Sequence, residues 1–131
     1  MKVEEVMIPM GSFPIVTQKA ILKEALSEMG EANLGLVCII NEKNKLLGLI
    51  TDGDLRRKLL KVQKPFSAFF IDDALIHSNQ NPITCNSIDD LKEVVKLMGE
   101  KQIWDLPVVR KNKELVGLLH LHPAVKKIID N

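Results

Sequence analysis

Apolar residues recur along this chain with two different periods, and their alternation lays out the expected elements. Leu22, Ala25, Leu26 and Met29 fall at i, i+3, i+4 and i+7, the single stripe of an amphipathic helix. Leu91, Val94, Val95 and Met98 repeat that stripe. After each helix comes a continuous apolar run, GLVCII at 35–40 or LPVV at 106–109. A polar turn follows, NEKNK or RKNKE, and then a second apolar run, LLGLI or LVGLL. Apolar run, polar turn, apolar run predicts a β-hairpin. A short helix closes each set, DLRRKLLK in the first and PAVKKII in the second. PIV at 14–16 and PIT at 82–84 predict brief extended pieces ahead of the long helices. Ser87 and Asp90 have the spacing of a capping pair for the second long helix. The order strand, helix, strand, strand, helix therefore occurs twice, in an α/β chain.

Sliding the chain over itself by 69 positions aligns 22–59 with 91–128 without a gap, and about ten of the 38 pairs are identical. A unit of about 60 residues buries too little surface to be comfortable alone. The expected arrangement is one repeat at 1–61, a joining segment at 62–71 and a second repeat at 72–131. The two are expected to pack their apolar faces together about an approximate two-fold axis. Phe66, Phe69 and Phe70 of the joining segment are expected to pack rather than bind.

Composition narrows the partners. With 131 residues, 46% apolar and 27% charged, the chain reads as an ordinary soluble domain. A net charge of +1 favours neither nucleic acid nor an anionic membrane. No apolar run reaches the length of a membrane span. The opening MKVEEVMIPM lacks the layout of a secretory signal. Cys38 and Cys85 lie far apart, Cys38 within an apolar run where a buried thiol is expected. A cytoplasmic location is the expectation.

The richest chemistry lies in Gly48-Leu-Ile-Thr51-Asp52-Gly53-Asp54, where a strand ends and a helix begins. Such a junction presents backbone N–H groups to an anion. Gly53 is suited to a positive φ or to a close-lying ligand. The Thr51 hydroxyl is placed to donate to a phosphate, and the Asp54 carboxylate to accept from ribose hydroxyls. Arg56 and Arg57 oppose the helix dipole in the first turn, a placement that suits a nearby anion. Thr51-x-x-Asp54 equally satisfies a helix cap, and Arg56, Arg57, Lys58, Lys61 and Lys64 equally form a solvated basic face. Residue types alone leave both readings open.

With its repeat, the chain resembles a tandem cystathionine-β-synthase (CBS) domain pair, or Bateman module, over about 3–60 and 72–130. The marker Gly-apolar-x-Thr/Ser-x-x-Asp/Asn is met by Gly48, Leu49, Thr51 and Asp54. The resemblance implies that Thr51 contacts phosphate or ribose and that Asp54 binds the ribose of an adenosine nucleotide or similar ligand. It places the base between Ile15, Val16 and Thr17 on one side and Leu36 and Val37 on the other. It also implies a flat homodimer. More narrowly, GLITDGDLRRKL and GLLHLH resemble the regulatory segment of bacterial arabinose-5-phosphate isomerases, and related pairs accompany sugar nucleotidyltransferases. Both kinds of enzyme serve surface-sugar pathways. AMP, ADP or ATP, or a CMP-sugar, are the regulatory ligands this implies, and no cofactor is required. The isomerase domain itself lies outside these residues.

The second copy departs from the marker, with His120 for the threonine and Pro123 for the aspartate. Proline suits the first position of a helix. The second crevice is then empty, or uses His120 and His122 for a differently shaped anion. On a strand, His120 and His122 would share a face, and His77 brings the count to three, which a metal site can use. No spacing converges them, and no metal ligands are assigned. No nucleophile, base and orienting group stand in a recognisable set, so no catalytic residues are expected. A ligand sensor is the main expectation. A dimerisation module without ligand and a His-based metal site are the alternatives.

Overall fold

The two predicted helical stripes become the two longest helices, α1 (Leu22–Ala32) and α4 (Leu91–Lys101). The structure, a computed structural model, describes residues 1–130. The chain divides into two compact units, one of residues 13–82 and one of residues 1–12 together with those from 83 onward.

In the first unit, β2 (Ile15–Thr17) leads through α1 to β3 (Leu36–Ile40), which turns into β4 (Leu46–Thr51). β2 pairs with β3 in parallel and β3 with β4 antiparallel. Two helices follow, α2 (Asp52–Lys61) and α3 (Phe66–Phe70). Leu22, Ala25 and Met29 of α1 pack with Val37, Ile39 and Ile50 of the sheet and with Phe69 and Ala74. Leu26 of the stripe is only partly buried.

The second unit repeats this plan with an extra edge strand. Its sheet runs β1 (Ile8–Pro9), β7 (Glu114–His120), β6 (Asp105–Arg110), β5 (Cys85–Asn86). Helices α4 and α5 (Leu121–Ile129) complete it. Leu91, Val94 and Met98 of α4 pack with Val3, Cys85, Leu106, Val108, Leu119 and Ala124. Burial, with Asp89 nearby, pushes the Cys85 thiol up to about 12. Among the described residues, no helix is long and apolar enough to cross a membrane.

The repeat extends to the hydrogen-bond register. Ile39 stands opposite Gly48 in one sheet and Val108 opposite Gly117 in the other, and both hairpins slip register at the next residue. The same shift of 69 carries Val16 opposite Ile39 onto Cys85 opposite Val108. It also explains a correction: the extended piece expected at 82–84 forms at Cys85–Asn86 instead.

The sequence repeat and the compact unit are different divisions of the chain, because the leading segments are exchanged. Val3 N–H donates to the Asp89 carbonyl and Leu91 N–H to the Met1 carbonyl. In the other unit, Ala74 N–H donates to the Ala20 carbonyl and Leu22 N–H to the Asp72 carbonyl. Residues 1–12 thus sit with the second repeat, and 72–82 with the first. The joining segment also holds α3, where Phe69 is fully buried and Phe70 partly so, while Phe66 is exposed on one side and packs its ring against Phe70 at 6.2 Å.

Two glycines make this exchange possible. A Cβ on Gly48 would collide with the Ser78 side chain, and one on Gly117 would lie 2.6 Å from the Met7 sulfur. The second long helix is capped by Asp90 alone, which accepts from the Glu93 N–H at 3.2 Å. Ser87, the expected partner, is instead buried with its N–H on the Val109 carbonyl.

Gly48→Ala is therefore expected to cost about 1–3 kcal/mol through overpacking. Gly99→Ala, in α4 with open space around it, is expected to gain about 0.5–1 kcal/mol. Urea denaturation of both variants checks the contrast.

Candidate functional site

Strand β4 runs straight into α2, and Thr51 is both its last residue and the helix N-cap. Its hydroxyl accepts from the Asp54 N–H at 3.2 Å, so the capping reading is realised. The Asp54 carboxylate takes no part in that cap. One of its oxygens accepts from Arg57 Nη2 at 2.6 Å, and about a third of its side chain stays exposed. Gly53 is the second residue of the helix rather than a positive-φ turn, and the Arg57 guanidinium lies over it.

Asp54 and Arg57 line a cleft of about 450 Å³, a size that suits a small ligand. Lys58, Lys61 and Val62 of α2 complete one wall. The opposite wall is His77, Ser78 and Asn79, brought there by the exchanged segment. Leu49 and Asn79 hold that wall against β4 by reciprocal backbone bonds of 3.0 and 2.9 Å. The cleft thus gathers three fixed cations, an imidazole and one carboxylate.

Behind the second wall stands a charged cluster. Lys64 Nζ and His77 Nε2 both bond the same Asp72 oxygen, at 2.6 and 2.8 Å. These two bonds, the lysine's first, hold the Asp72 carboxyl below its usual range. The His77 ring meets Phe69 edge-on at 4.5 Å, and its Nδ1 is buried without a hydrogen-bond partner.

The other expected site residues go elsewhere. Leu36 and Val37 are fully buried, and Ile15 pairs with Cys38. Val16 and Thr17 border a separate depression of about 250 Å³ with Lys19 and Glu24. The expected base slot is thus not part of the Asp54 cleft. Asp52 turns away toward Gly35, beside another depression of about 360 Å³. Gly48 is closed over by Ser78 and serves packing.

In the second unit, the cross-strand pair Leu36–Thr51 becomes Asp105–His120. His120 Nδ1 lies 2.6 Å from Asp105 Oδ1 and makes no cap bond. Burial raises the Asp105 carboxyl, with the His120 bond opposing it. Pro123 is the third residue of α5, not the first, at the position where α2 supplies the Asp54 N–H. Proline has no N–H there to cap, so the hydroxyl and its donor are lost together. His122 is exposed on α5 rather than sharing a strand face with His120. Among the described residues, no three His, Cys, Asp or Glu side chains cluster as metal ligands would.

Lys58, Lys61, His77, Ser78 and Asn79 were not assigned to the site from sequence. The basic pair read as solvated face, and the exchange left no sequence signal. Shifting 1–8 by 71 onto 72–79 produces not one identity.

A duplicated strand-helix-hairpin-helix whose β4–α2 junction carries Gly-x-x-Thr-x-x-Asp defines a class. The CBS domain model matches residues 3–61 and 73–122, and the chain belongs to that family. Among curated relatives, it is 31% identical over 96% of its length to arabinose 5-phosphate isomerase KdsD of Pseudomonas aeruginosa, covering 37% of that protein. An uncharacterised Helicobacter pylori protein is 29% identical over 88% of the chain and 34% of its own length. The chain thus spans about a third of the first such relatives. Among solved structures, CBSX2 in complex with AMP superposes with a TM-score of 0.84 at 22% identity, over 98% of this chain and 96% of that one. A putative acetoin utilization protein (AcuB) from Vibrio cholerae gives 0.82 at 26% identity, over 99% and 91%.

The two aspartates should respond to pH in opposite directions. Relative to Asp72→Asn, the wild type should keep its advantage above about pH 3.8 and lose it as pH falls through the lowered folded value. Relative to Asp105→Asn, wild-type stability should instead fall as pH rises from 3.8 through the raised folded value. Urea midpoints between pH 3 and 7 for the two variants check both signs.

Proposed function

We propose that this CBS pair is a regulatory ligand-sensing module, and that its ligand, an adenosine nucleotide or a nucleotide-sugar, binds with its anionic part in the cleft beside Asp54. The observation that carries this reading is a cleft lined by Arg57, Lys58 and Lys61 on one wall and His77 on the other, with the partly exposed carboxylate of Asp54 among them. Cations lining one small cleft suit phosphate, and the partly exposed Asp54 carboxylate suits paired ribose hydroxyls. The AMP in the CBSX2 complex supports the choice of adenosine ligands for a first test. Thr51 acts here as the cap that holds the junction in shape, with Asp54 as the ligand-facing group.

A sensor must prefer one of two states to shift anything. The exchanged segment offers the physical link, since 77–79 forms one wall of the cleft while residues from 83 onward belong to the other unit. The similarity to KdsD supports a sugar-phosphate enzyme as the regulated partner, attached or associated; a nucleotide-sugar enzyme in that place, and a module that regulates rather than catalyses, belong to the same proposal. Pairing of two modules into a homodimer belongs to the same proposal.

A thermal-shift panel of AMP, ADP, ATP, S-adenosylmethionine and CMP-sugars tests the reading. A true ligand at a hundredfold its Kd should stabilise by about 2.7 kcal/mol. Asp54→Ala should abolish that shift while costing at most about 1 kcal/mol, because its ion pair with Arg57 is exposed. Thr51→Ala should cost about 0.5–2 kcal/mol through the lost cap. No shift with any of the panel would favour the ligand-free dimerisation module.

A further inference from the structure

We infer that two copies of this chain join through unlike repeats: Trp104 of one copy seats in the depression between α1 and α2 of the other, its indole N–H donating to Asp52. This contact presupposes the homodimer proposed above, and adds which surfaces meet and in which direction.

The two repeats differ here at a pair of positions tied by one backbone bond. The Asp52 N–H donates to the Gly35 carbonyl and, 69 residues on, the Leu121 N–H donates to the Trp104 carbonyl, both at 2.9 Å. The backbone is shared, but Gly35 and Asp52 have become Trp104 and Leu121. In the first unit, Gly35 borders the depression of about 360 Å³. Leu26, Met29, Leu34 and Leu55 make its lining apolar. The Asp52 carboxylate stands over Gly35, where a Cβ would lie 2.6 Å from its oxygen. In the second unit the same place carries the chain's one tryptophan, with 69% of it exposed.

A large ring held out in water and an apolar hollow with one acceptor are complementary. An indole has an apolar body and a single donor, and a carboxylate bond to that donor is charge-assisted. The same chain carries both halves, so a second copy supplies the match. Gly30 of α1 lines the hollow with open space around it. A mid-helix glycine weakens its helix, and a close-lying partner accounts for keeping one there. In a two-fold pair, symmetry makes the contact twice. Two rings bury about 150–250 Å² each, short of the roughly 1,200 Å² of a stable interface. Partly buried apolar neighbours supply more, Ile103 and Leu121 next to Trp104 and Leu26, Leu34 and Leu55 around the hollow.

With a single tryptophan, indole emission reports the contact directly. As the protein is concentrated, emission should shift to the blue in step with the dimer fraction from sedimentation equilibrium. Trp104→Ala removes the ring, and Gly30→Leu fills the hollow. Each should weaken dimerisation at least about tenfold. Both positions are exposed, so circular dichroism should show each monomer folded. Mixed one to one, the two variants should associate better than either alone, because the intact hollow of one meets the intact indole of the other. Wild-type dimer affinity in both variants, or emission unmoved on dimerisation, would overturn this contact and leave the homodimer standing. A mixture no better than either variant alone would overturn the pairing of unlike repeats. A wild-type chain that stays monomeric at millimolar concentration would overturn contact and homodimer together, and leave nucleotide binding to the thermal-shift panel.

Discussion

Residues 77–79 lie against β4, and that contact depends on Gly48 having no side chain. The Leu49–Asn79 bonds close a backbone bridge there, and Ser78 fills the space a Cβ would need. Without this approach, α2 would present its basic side to open solvent and no second wall would face it. The same device recurs at Gly117, where Met7 and Ile8 lie against β7. A glycine that reads as part of a ligand motif therefore works one step earlier, by admitting the segment that forms the cleft's second wall.

The difference between the two repeats is a coupled set of changes rather than simple decay. Thr51 needs an N–H three residues on, and Asp54 provides it. Pro123 removes that N–H, which makes a hydroxyl at 120 pointless. His120 turns across the sheet to Asp105, which replaces a buried leucine in the matching place. Each substitution makes sense only with the others. The element folds equally well both ways, but the second version spends its polar groups on one another.

Local periodicity carried most of the fold. Stripes such as Leu22-Ala25-Met29 state which face is buried, runs such as GLVCII mark a strand buried on both faces, and a shift of 69 reproduces even the register slip after Ile39 and Val108. The exchange of leading segments was not legible, because backbone bridges such as Ile21–Asp73 and Lys2–Asp90 place no demand on residue type. One wall of the cleft, three of its eight lining residues, was lost for that reason. Asp54 and Arg57 were readable from the strand-to-helix junction, whereas His77, Ser78 and Asn79 reach the cleft through a pairing that any sequence could make. Leu36 and Val37 do not line the cleft, and a run buried on both faces gives no sign of which backbone edge stays open.

The central claim is that the space between α2 and residues 77–79 receives an anionic ligand. Backbone amide shifts followed by NMR during titration with AMP test it most directly. The account predicts saturable changes concentrated at 54–61 and 77–79, with the corresponding positions around His120 and Pro123 unmoved. Saturable changes confined to the α5 junction, or none at millimolar AMP and every other nucleotide tried, would contradict it.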